Sequence, residues 1–212
     1  MKLYTFFRSS ASFRVRIALN LKGIAWESVP VNLPKSEHVD VRFKAVNPQG
    51  LVPALDDSGK LLSQSLAIME YLDEAYPGAK LLPGDALDRA YVRAFSQLIA
   101  CEIHPLNNLR VLKYVKRTYK LDEEGLNGWY RHWIAEGFSS MESFLLNEKK
   151  RGRHVWRDQA TMADCCLVPQ VFNAQRYDCD LKPYPTVVRI FDQCMKLDAF
   201  IAAQPMKQPD AA

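Results

Sequence analysis

The chain has 212 residues, of which 48% are apolar, and its formal net charge is +4 at pH 7. That length and apolar content suit a globular protein with one large or two small domains. The basic residues are scattered rather than gathered into one tract with interleaved aromatic residues, so nucleic acid is excluded as an expected partner.

No stretch of the sequence has the character of a membrane span or an export signal. The N-terminal MKLYTFF is too short an apolar run for a secretory signal, and no run of about 18 apolar residues occurs. We therefore expect a cytoplasmic protein without membrane contact. The five cysteines show no CxxC spacing, so we expect reduced thiols and predict neither a disulfide framework nor a metal site.

From Met1 to about Lys80 the sequence alternates strand-like and helical runs, which is typical of a mixed α/β unit. LYTFF predicts a strand, and SFRVRIALNLKG predicts a helix that ends at Gly23. ESVPV predicts a second strand, which Pro30 restricts to a sheet edge because proline has no N–H to donate. The next segment, PKSEHVDVRFKAVNPQG, is polar and carries no predicted element.

A hairpin and a helix complete this first part of the chain. LVPAL and KLLSQS are short strand-like runs separated by a polar Asp-Asp-Ser-Gly stretch, in which Gly59 supplies the turn. SLAIMEYLDEAYPG then predicts a helix that stops at Pro77 and Gly78. The segment GAKLLPGDALD has the glycine and proline content of a linker.

Beyond this linker the strand signals nearly vanish and the pattern is helical. Apolar residues at helical spacing run from Asp88 to about Tyr119, interrupted by Pro105, which we expect to kink or divide the helix. Further helical patterns cover residues 122–146, 163–176 and 185–197.

A capping box marks the start of one of these helices. Thr161 and Asp164 place a hydroxyl and a carboxylate three residues apart before an apolar run, which predicts a buried helix. The whole layout predicts a small α/β domain at residues 1–80, followed by an all-helical domain at residues 87–212.

Five segments resemble the zeta class of the cytosolic glutathione transferases. They are SSASFRVRIAL, NPQGLVPAL, LSQSLAIMEYL, IHPLNNLRVLKYV and TMADCCLVPQV, and they follow in order over nearly the whole chain. The resemblance implies a thioredoxin-like N-terminal domain, a helical C-terminal domain and a glutathione-dependent cis–trans isomerase. It implies conversion of maleylacetoacetate to fumarylacetoacetate, which we favour, or the same reaction on maleylpyruvate.

One residue departs from the class pattern. The third position of the serine motif, usually cysteine, is Ala11 here, so a mechanism that needs a protein thiol at that position is excluded. Glutathione, the cofactor that the resemblance implies, must then supply the nucleophilic sulfur for reversible addition to the double bond. The protein has to keep that sulfur ionised and stabilise the enolate that forms.

Ser9 and Ser10 lie where the first predicted strand passes into its helix. By resemblance, Ser9 is the preferred partner of the glutathione thiolate, and Ser10 supports the site and competes for this role. A sulfur at this point would also meet the positive end of the helix. The alternative is that both serines only cap the helix, as serine often does.

The tripeptide cofactor needs further contacts, which the resemblance also assigns. The backbone of Val52 would bind the cysteinyl part, with Pro53 in the cis form. Gln64 and Ser65 open a helix whose donors suit the γ-glutamyl carboxylate, although Ser65 could equally be a cap. His38 and Gln49 match class positions near the glycyl end, although both are commonplace in surface loops.

Arginines are the expected ligands of a dicarboxylate substrate, because the guanidinium fork pairs with a carboxylate. Arg8, Arg110 and Arg176 match arginines of bacterial isomerases of this type, and we expect them to converge on the substrate. The alternative is that each is a solvated surface residue. We interpret Arg14 and Arg16, inside the first helix, as structural or surface residues.

The segment around Pro105 carries further candidates. His104 and Asn108 would contact glutathione or substrate if the break at Pro105 turns this helix toward the N-terminal domain, and Asn107 is placed in the same way. His104 could equally be a packed, hydrogen-bonded histidine, and no second ligand at i+4 supports a metal role. The resemblance further implies a homodimer. Conjugation of glutathione to other electrophiles, and a binding module without chemistry, remain as alternative functions.

Overall fold

The computed structural model describes residues 1–211 and divides the chain into two compact units. The first unit contains Met1–Pro83 together with the residues from Met195 onward, and the second contains Gly84–Cys194. The sequence pattern predicts one helical domain over residues 87–212. In the structure, the C-terminal part of that range packs with the first unit, which helical spacing alone does not indicate. The last position of that predicted domain, residue 212, lies outside the described residues.

The first unit is built on a four-stranded mixed sheet, and its strands lie in or next to the four strand-like runs of the sequence. Its strands, in chain order, are β1 (Lys2–Thr5), β2 (Glu27–Pro30), β3 (Ala54–Asp57) and β4 (Lys60–Ser63). The spatial order is β2-β1-β3-β4, with β1 parallel to β2 and the other two pairs antiparallel. The strand that contains Pro30 therefore lies at the sheet edge, which confirms the prediction from proline.

The hairpin between β3 and β4 is also confirmed. Ser58 and Gly59 form its two-residue turn with φ angles of 55° and 88°. Two successive positive φ angles give the type I′ turn whose twist matches that of paired strands, and glycine adopts the second angle without a steric penalty.

The helices complete both units. In chain order they are α1 (Ser10–Leu21), α2 (Val41–Val46), α3 (Ser65–Ala75), α4 (Ala86–Gln97), α5 (Leu109–Tyr119), α6 (Glu123–Asn147), α7 (Met162–Arg176), α8 (Pro185–Cys194) and α9 (Asp198–Ala203). The first three of these and the last belong to the first unit, where α9 packs against α1. Asn20 Nδ2 in α1 donates to the Ala199 carbonyl in α9 at 3.0 Å.

The short helix α2 was not predicted from the polar segment that contains it. Asp40 caps this helix and accepts a hydrogen bond from Arg42 N at 2.8 Å. Phe43 is its only buried residue. A six-residue helix with one buried side chain has no repeated apolar spacing, so periodicity could not reveal it.

In the second unit the break at Pro105 divides the helical pattern as predicted. α4 continues into a π-helical turn at Leu98–Ile103, and α5 begins only at Leu109. Long helix α6 and buried helix α7 follow, close to the predicted ranges 122–146 and 163–176.

The predicted capping box at Thr161 is present, and Asp164 is fully buried there. The capping box fixes where α7 begins, because it satisfies backbone donors that the helix itself leaves without partners.

Among the described residues, no helix combines the length and apolar content that crossing a membrane requires.

Candidate functional site

Ser9 and Ser10 stand at the junction of β1 and α1. Ser9 is the N-cap of α1, and its Oγ accepts a hydrogen bond of 3.2 Å from Ser12 N. Ser9 is half-buried, whereas Ser10 is buried as the first residue of the helix. Because the Ser9 oxygen acts as an acceptor in the cap, its own O–H can still donate to a ligand. Capping and ligand binding are therefore compatible at this residue.

The loop before these serines is held by Arg16, a fully buried side chain of α1. Its Nη2 donates to the Phe7 carbonyl at 3.0 Å, and its Nη1 donates to Thr5 Oγ1 at 3.1 Å. Burial lowers the pKa of Arg16 to about 10. The structure thus identifies Arg16 as structural, one of the two sequence interpretations, and Arg14 is buried beside it at 2% exposure.

Arg8 lies in the same loop and is exposed. Its guanidinium carbon is 4.9 Å from the centroid of the Phe7 ring, which is a cation–π distance. The aromatic ring limits the directions that this arginine can take, while the guanidinium donors remain accessible from solvent.

A second group of candidates surrounds the start of β3. The Val52–Pro53 peptide bond is cis, which confirms that prediction. The loop before it is shaped by Asn47, a buried residue whose Nδ2 donates to the Leu51 carbonyl at 2.7 Å and whose Oδ1 accepts from Gln49 N at 3.1 Å. Sequence reasoning missed Asn47, although an asparagine before proline in NPQG is a turn signal.

Gln49 and Gln64 are brought together by the fold, although the sequence places them in different segments. Gln64 Nε2 donates to Gln49 Oε1 at 2.8 Å, and both residues are exposed. Gln64 precedes α3 with φ 70° and ψ 114°, a conformation that non-glycine residues rarely adopt. Such strained residues concentrate at functional sites, because there the surrounding structure holds them in place.

Ser65 is the first residue of α3 and is buried. Arg14 Nη1 donates to its Oγ at 3.3 Å, so α1 and α3 are joined at this point. The N-terminal end of α3 presents backbone N–H groups and a positive helix dipole, which suit a carboxylate ligand.

His38 lies in a short 3-10 turn at Glu37–Val39 and is half-buried. Its carbonyl oxygen approaches Gly50 so closely that a Cβ there would be 2.8 Å away. Gly50 also has φ 62°, so glycine is required on both counts. The His38 turn and the loop before Val52 are therefore in contact.

The remaining candidates belong to the second unit, and three of them flank the break before α5. His104 is half-buried and its N–H donates to the Ile99 carbonyl at 2.9 Å, which closes the π-helical turn. Asn108 caps α5, because its Oδ1 accepts from Arg110 N at 3.1 Å. The Asn108 amide group and the exposed Arg110 guanidinium can both still donate to a ligand.

Asn107 and Arg176 are positioned by neighbouring aromatic residues. Asn107 Nδ2 donates to the Tyr130 carbonyl at 3.3 Å. Exposed Arg176 ends α7, where its guanidinium carbon is 4.8 Å from the Tyr177 ring centroid and its Nη2 donates to the Tyr177 hydroxyl at 3.2 Å. Tyr177 stacks on Tyr130 at 3.6 Å between ring centroids. The Arg176 guanidinium thus lies against one ring of a stacked tyrosine pair.

A buried cluster of metal-binding residue types lies elsewhere in the second unit. Cys194 Sγ is 3.5 Å from His154 Nδ1 and 3.6 Å from Asp164 Oδ1. Burial raises the pKa of the Cys194 thiol, so the sulfur stays protonated. Asp164 accepts from Val155 N at 3.1 Å and from Thr161 N at 2.8 Å. This cluster stabilises the start of α7 through hydrogen bonds.

The candidates are divided between the two units as follows. The first unit holds Arg8, Ser9, Ser10, His38, Gln49, Val52, Pro53, Gln64 and Ser65, and the second holds His104, Asn108, Arg110 and Arg176. Within the first unit, a hydrogen bond joins the side chains of two candidates, Gln49 and Gln64.

Comparisons with known proteins assign the chain to a family. Residues 3–80 match the model of the glutathione S-transferase N-terminal domain. A maleylpyruvate isomerase from Ralstonia sp is 50% identical over the full length of both chains. A probable maleylacetoacetate isomerase from Vibrio cholerae is 44% identical, and the alignment covers 99% of this chain and 97% of that protein.

Solved structures agree with these sequence matches. The holo structure of a maleylpyruvate isomerase, described as a bacterial glutathione transferase of the zeta class, has a TM-score of 0.98, 50% identity and complete coverage of both chains. A maleylacetoacetate isomerase from Methylobacterium extorquens AM1, with bound malonate and glutathione, has a TM-score of 0.97, 41% identity and complete coverage of both chains.

Proposed function

Because the chain belongs to the zeta class of the glutathione S-transferase family, we propose that it is a glutathione-dependent cis–trans isomerase acting on maleylacetoacetate. The observation that carries this proposal is Ser9, a half-buried helix cap whose oxygen is already an acceptor and whose hydroxyl proton can donate. Such a donor at a helix N-terminus stabilises a negatively charged sulfur.

The first unit has the groups that glutathione needs. Glutathione has two carboxylates and a peptide backbone, and the start of α3 offers N–H donors together with Gln64 and Ser65. Gln49 is bonded to Gln64, so the two side chains present their remaining amide groups from one place. Val52, before the cis bond, has backbone groups outside the ladder of β3 that can pair with an extended peptide.

When bound, glutathione would supply a thiolate that adds to one carbon of the conjugated double bond while the electron pair moves to the neighbouring carbonyl oxygen, which leaves a single bond that can rotate; return of the pair breaks the carbon–sulfur bond, releases the thiolate and restores the double bond in the trans form. The task of Ser9 is to stabilise the negative charge at the sulfur position by donating a hydrogen bond from its hydroxyl group. Ser10, the buried first residue of α1, is the competing donor. Ala11 cannot replace the cofactor sulfur, and Cys165, Cys166 and Cys194 are buried.

The substrate is a dianion, and the arginines are proposed to bind its carboxylates. The guanidinium groups of Arg8 and Arg176 each lie against an aromatic ring, and the backbone N–H of Arg110 donates to the Asn108 cap of α5. Malonate, a small dicarboxylate, is bound in the related structure from Methylobacterium extorquens. The arginine roles are tested below by replacement of Arg176 with lysine, which keeps the charge but loses the planar fork.

A second candidate substrate is maleylpyruvate, a shorter diacid that requires the same chemistry. One observation favours it: the relative named maleylpyruvate isomerase is 50% identical, whereas the probable maleylacetoacetate isomerase is 44% identical. The difference in identity is small, so the two substrates have to be compared by kcat/KM under the same conditions.

The proposed reaction is tested by proton magnetic resonance of each substrate with the purified protein. We expect the cis vinyl signals to be replaced by trans signals when glutathione is present and to persist when it is omitted. The Ser9→Ala variant should be much slower, whereas Ser139→Ala, on the exposed face of α6, should match the wild type. Equal turnover without glutathione, or no turnover of either substrate, would contradict the proposal.

The expected assembly and location are separate proposals. The homodimer that the resemblance implies is tested by light scattering at the protein concentration used for kinetics. Cytoplasmic location is tested by fractionation of the producing cells, in which the protein should remain with the cytoplasmic fraction. A monomer, or a membrane-bound fraction, would contradict these two expectations.

A further inference from the structure

The C-terminal segment returns to the loop that carries the proposed catalytic serines. Asp210 lies in a short 3-10 turn at Pro209–Ala211, and its Oδ2 accepts a hydrogen bond of 2.9 Å from the backbone N–H of Phe7. Phe7 is followed directly by Arg8 and Ser9. This one bond therefore connects the tail to the loop before α1, within the first unit.

Arg16 binds a second backbone group of the same loop, the carbonyl of Phe7. It donates to the Phe7 carbonyl at 3.0 Å, and its Nε donates to the carbonyl of Ala203, the last residue of α9, at 3.1 Å. The N–H and the C=O of Phe7 are thus each bound by a charged side chain. Hydrogen bonds to charged groups are the stronger ones in proteins, so Phe7 is held more firmly than an ordinary loop residue.

The side chains of Arg16 and Asp210 carry opposite charges and attract each other. Arg16 is fully buried, and a buried cation needs a nearby negative charge. Burial lowers the pKa of Arg16, and the negative charge of Asp210 acts in the opposite direction. The second oxygen of Asp210, Oδ1, is buried and has no hydrogen-bond partner among the described residues. The carboxylate is therefore placed by the Phe7 N–H and by its attraction to Arg16.

The loop is short enough to transmit a displacement of Phe7 to Ser9. Ser9 N donates to the Phe6 carbonyl at 2.9 Å, and Arg16 Nη1 lies 3.4 Å from that same oxygen. A shift of Phe7 would therefore move both the peptide that holds Ser9 and the side chain of Arg8. Displacements of about 1 Å in catalytic groups can reduce rates by about 100-fold.

We propose that Asp210 is a positioning residue: by fixing the Phe7 N–H and neutralising Arg16, it sets the direction of the Ser9 hydroxyl toward the glutathione sulfur. This inference rests on the proposed function, because it assigns Asp210 a part in the same site. Sequence reasoning gave no role to Asp210, since an aspartate after proline near the end of a chain has no distinctive pattern.

The first test measures hydrogen exchange at the Phe7 amide without any isomerase substrate. In Asp210→Ala we expect this amide to exchange about tenfold faster or more, while amides of the buried strand β3 keep their rates. Asp210→Asn retains an oxygen acceptor and should keep most of the protection of Phe7. Asp198→Asn makes the same change on an exposed carboxylate in α9 and should match the wild type.

The second test measures the pKa of the thiol of bound glutathione and the steady-state parameters of the same variants. Asp210→Ala should raise this thiol pKa by about half a unit and lower kcat about tenfold, with KM for glutathione within about threefold of wild type. Asp210→Asn should raise the thiol pKa by less. If the alanine variant does not fold, the same measurements are made on Asp210→Asn.

The outcomes separate this inference from the proposed function. If the thiol pKa shifts in the Asp210 variants but no maleyl substrate is isomerised, the reaction assignment fails and the positioning role is supported. If Phe7 exchanges faster while the thiol pKa and kcat match those of Asp198→Asn, Asp210 is merely structural and the inference is overturned. Unchanged exchange at Phe7 in Asp210→Ala would overturn it as well.

Discussion

The helices α1 and α7 both begin at a hydroxyl N-cap, but the cap of α1 is proposed to bind a ligand and the cap of α7 stabilises the fold. Each helix begins at a hydroxyl residue, Ser9 in one case and Thr161 in the other. Ser9 is half-buried and its oxygen accepts one bond, from Ser12 N. Thr161 is fully buried, and its hydroxyl donates to Asp164 Oδ2 at 2.9 Å.

The two caps differ in the acceptor to which the hydroxyl group donates its hydrogen bond. At α7 the proton is bound by the Asp164 carboxylate, so the cap is closed and contributes only to stability. At α1 no carboxylate stands at the third helical position, which is Ser12, so the Ser9 proton can reach a ligand. A helix cap therefore becomes a binding group when its oxygen is used locally and its proton is not.

The largest expected effect of this difference is on stability at α7. Asp164→Ala removes the acceptor of the Val155 and Thr161 backbone bonds inside a buried region, so we expect a loss of about 3–4 kcal/mol in the free energy of unfolding. Urea unfolding measures it. Asp192→Ala, an exposed carboxylate of α8, should change stability by less than about 0.5 kcal/mol. Equal stability of the two variants would refute the structural role of the α7 cap.

The second effect concerns activity at α1. Ser9→Ala should lower kcat/KM about 100-fold, because one donor to a developing or bound negative charge is lost. The free energy of unfolding should fall by only about 1 kcal/mol, the usual value for loss of a serine N-cap. Ser139→Ala on α6 is the matched control. A stability loss as large as that of Asp164→Ala with unchanged kcat/KM would reverse the comparison.

The third effect sharpens the comparison between the two ends of α7, one buried and one exposed. Arg176→Lys at the C-terminal end keeps the positive charge but loses the guanidinium fork, so KM for the diacid should rise about tenfold. Glutathione affinity and stability should stay close to wild type. Arg189→Lys, exposed on α8, provides the control for the substitution itself. Unchanged kinetics in Arg176→Lys would remove this arginine from the substrate site.

The smallest effect concerns the half-buried carboxylate of Asp57, in contrast to fully buried Asp164. The Tyr71 hydroxyl donates to Asp57 Oδ2 at 2.6 Å, and this bond, followed by one from Tyr76, lowers the pKa of Asp57. A lowered folded-state pKa stabilises the protein above the unfolded-state pKa, and the contribution is lost as pH falls through the folded-state value.

Tyr71→Phe should therefore be slightly less stable than wild type at pH 7, and the difference should shrink below about pH 4. Urea midpoints measured at pH 7 and pH 3 check this, with Tyr119→Phe, an exposed residue of α5, as the control. A difference that grows on acidification would contradict the sign of the Asp57 effect.

Much of the fold follows from local sequence signals. The hairpin at Gly59, the edge strand with Pro30 and the division of a helix at Pro105 each depend on a backbone property of one residue, so they were predictable. Helix α2, with a single buried side chain, was not. The packing of α9 on α1 was not either, because it depends on contacts between distant segments.

The candidate site shows the same division. The resemblance supplied the serines, whose role stays a proposal, and the cis bond at Pro53, which the structure confirms. The supports of the site were missed, because Arg16 and Asp210 are ordinary charged residues until the fold places them around Phe7. Asn47 could have been found from its place before a proline, whereas the bond between two glutamines could not.

The most direct test of the account is the pKa of the glutathione thiol when bound to the protein, followed by thiolate absorbance in the absence of substrate. We expect a thiol pKa below the ordinary value of about 8.5 for the wild type and for the capping variant Thr161→Ser. We expect a rise toward the ordinary value in Ser9→Ala. An unchanged thiol pKa in Ser9→Ala would contradict the claim that the α1 cap holds the sulfur ionised.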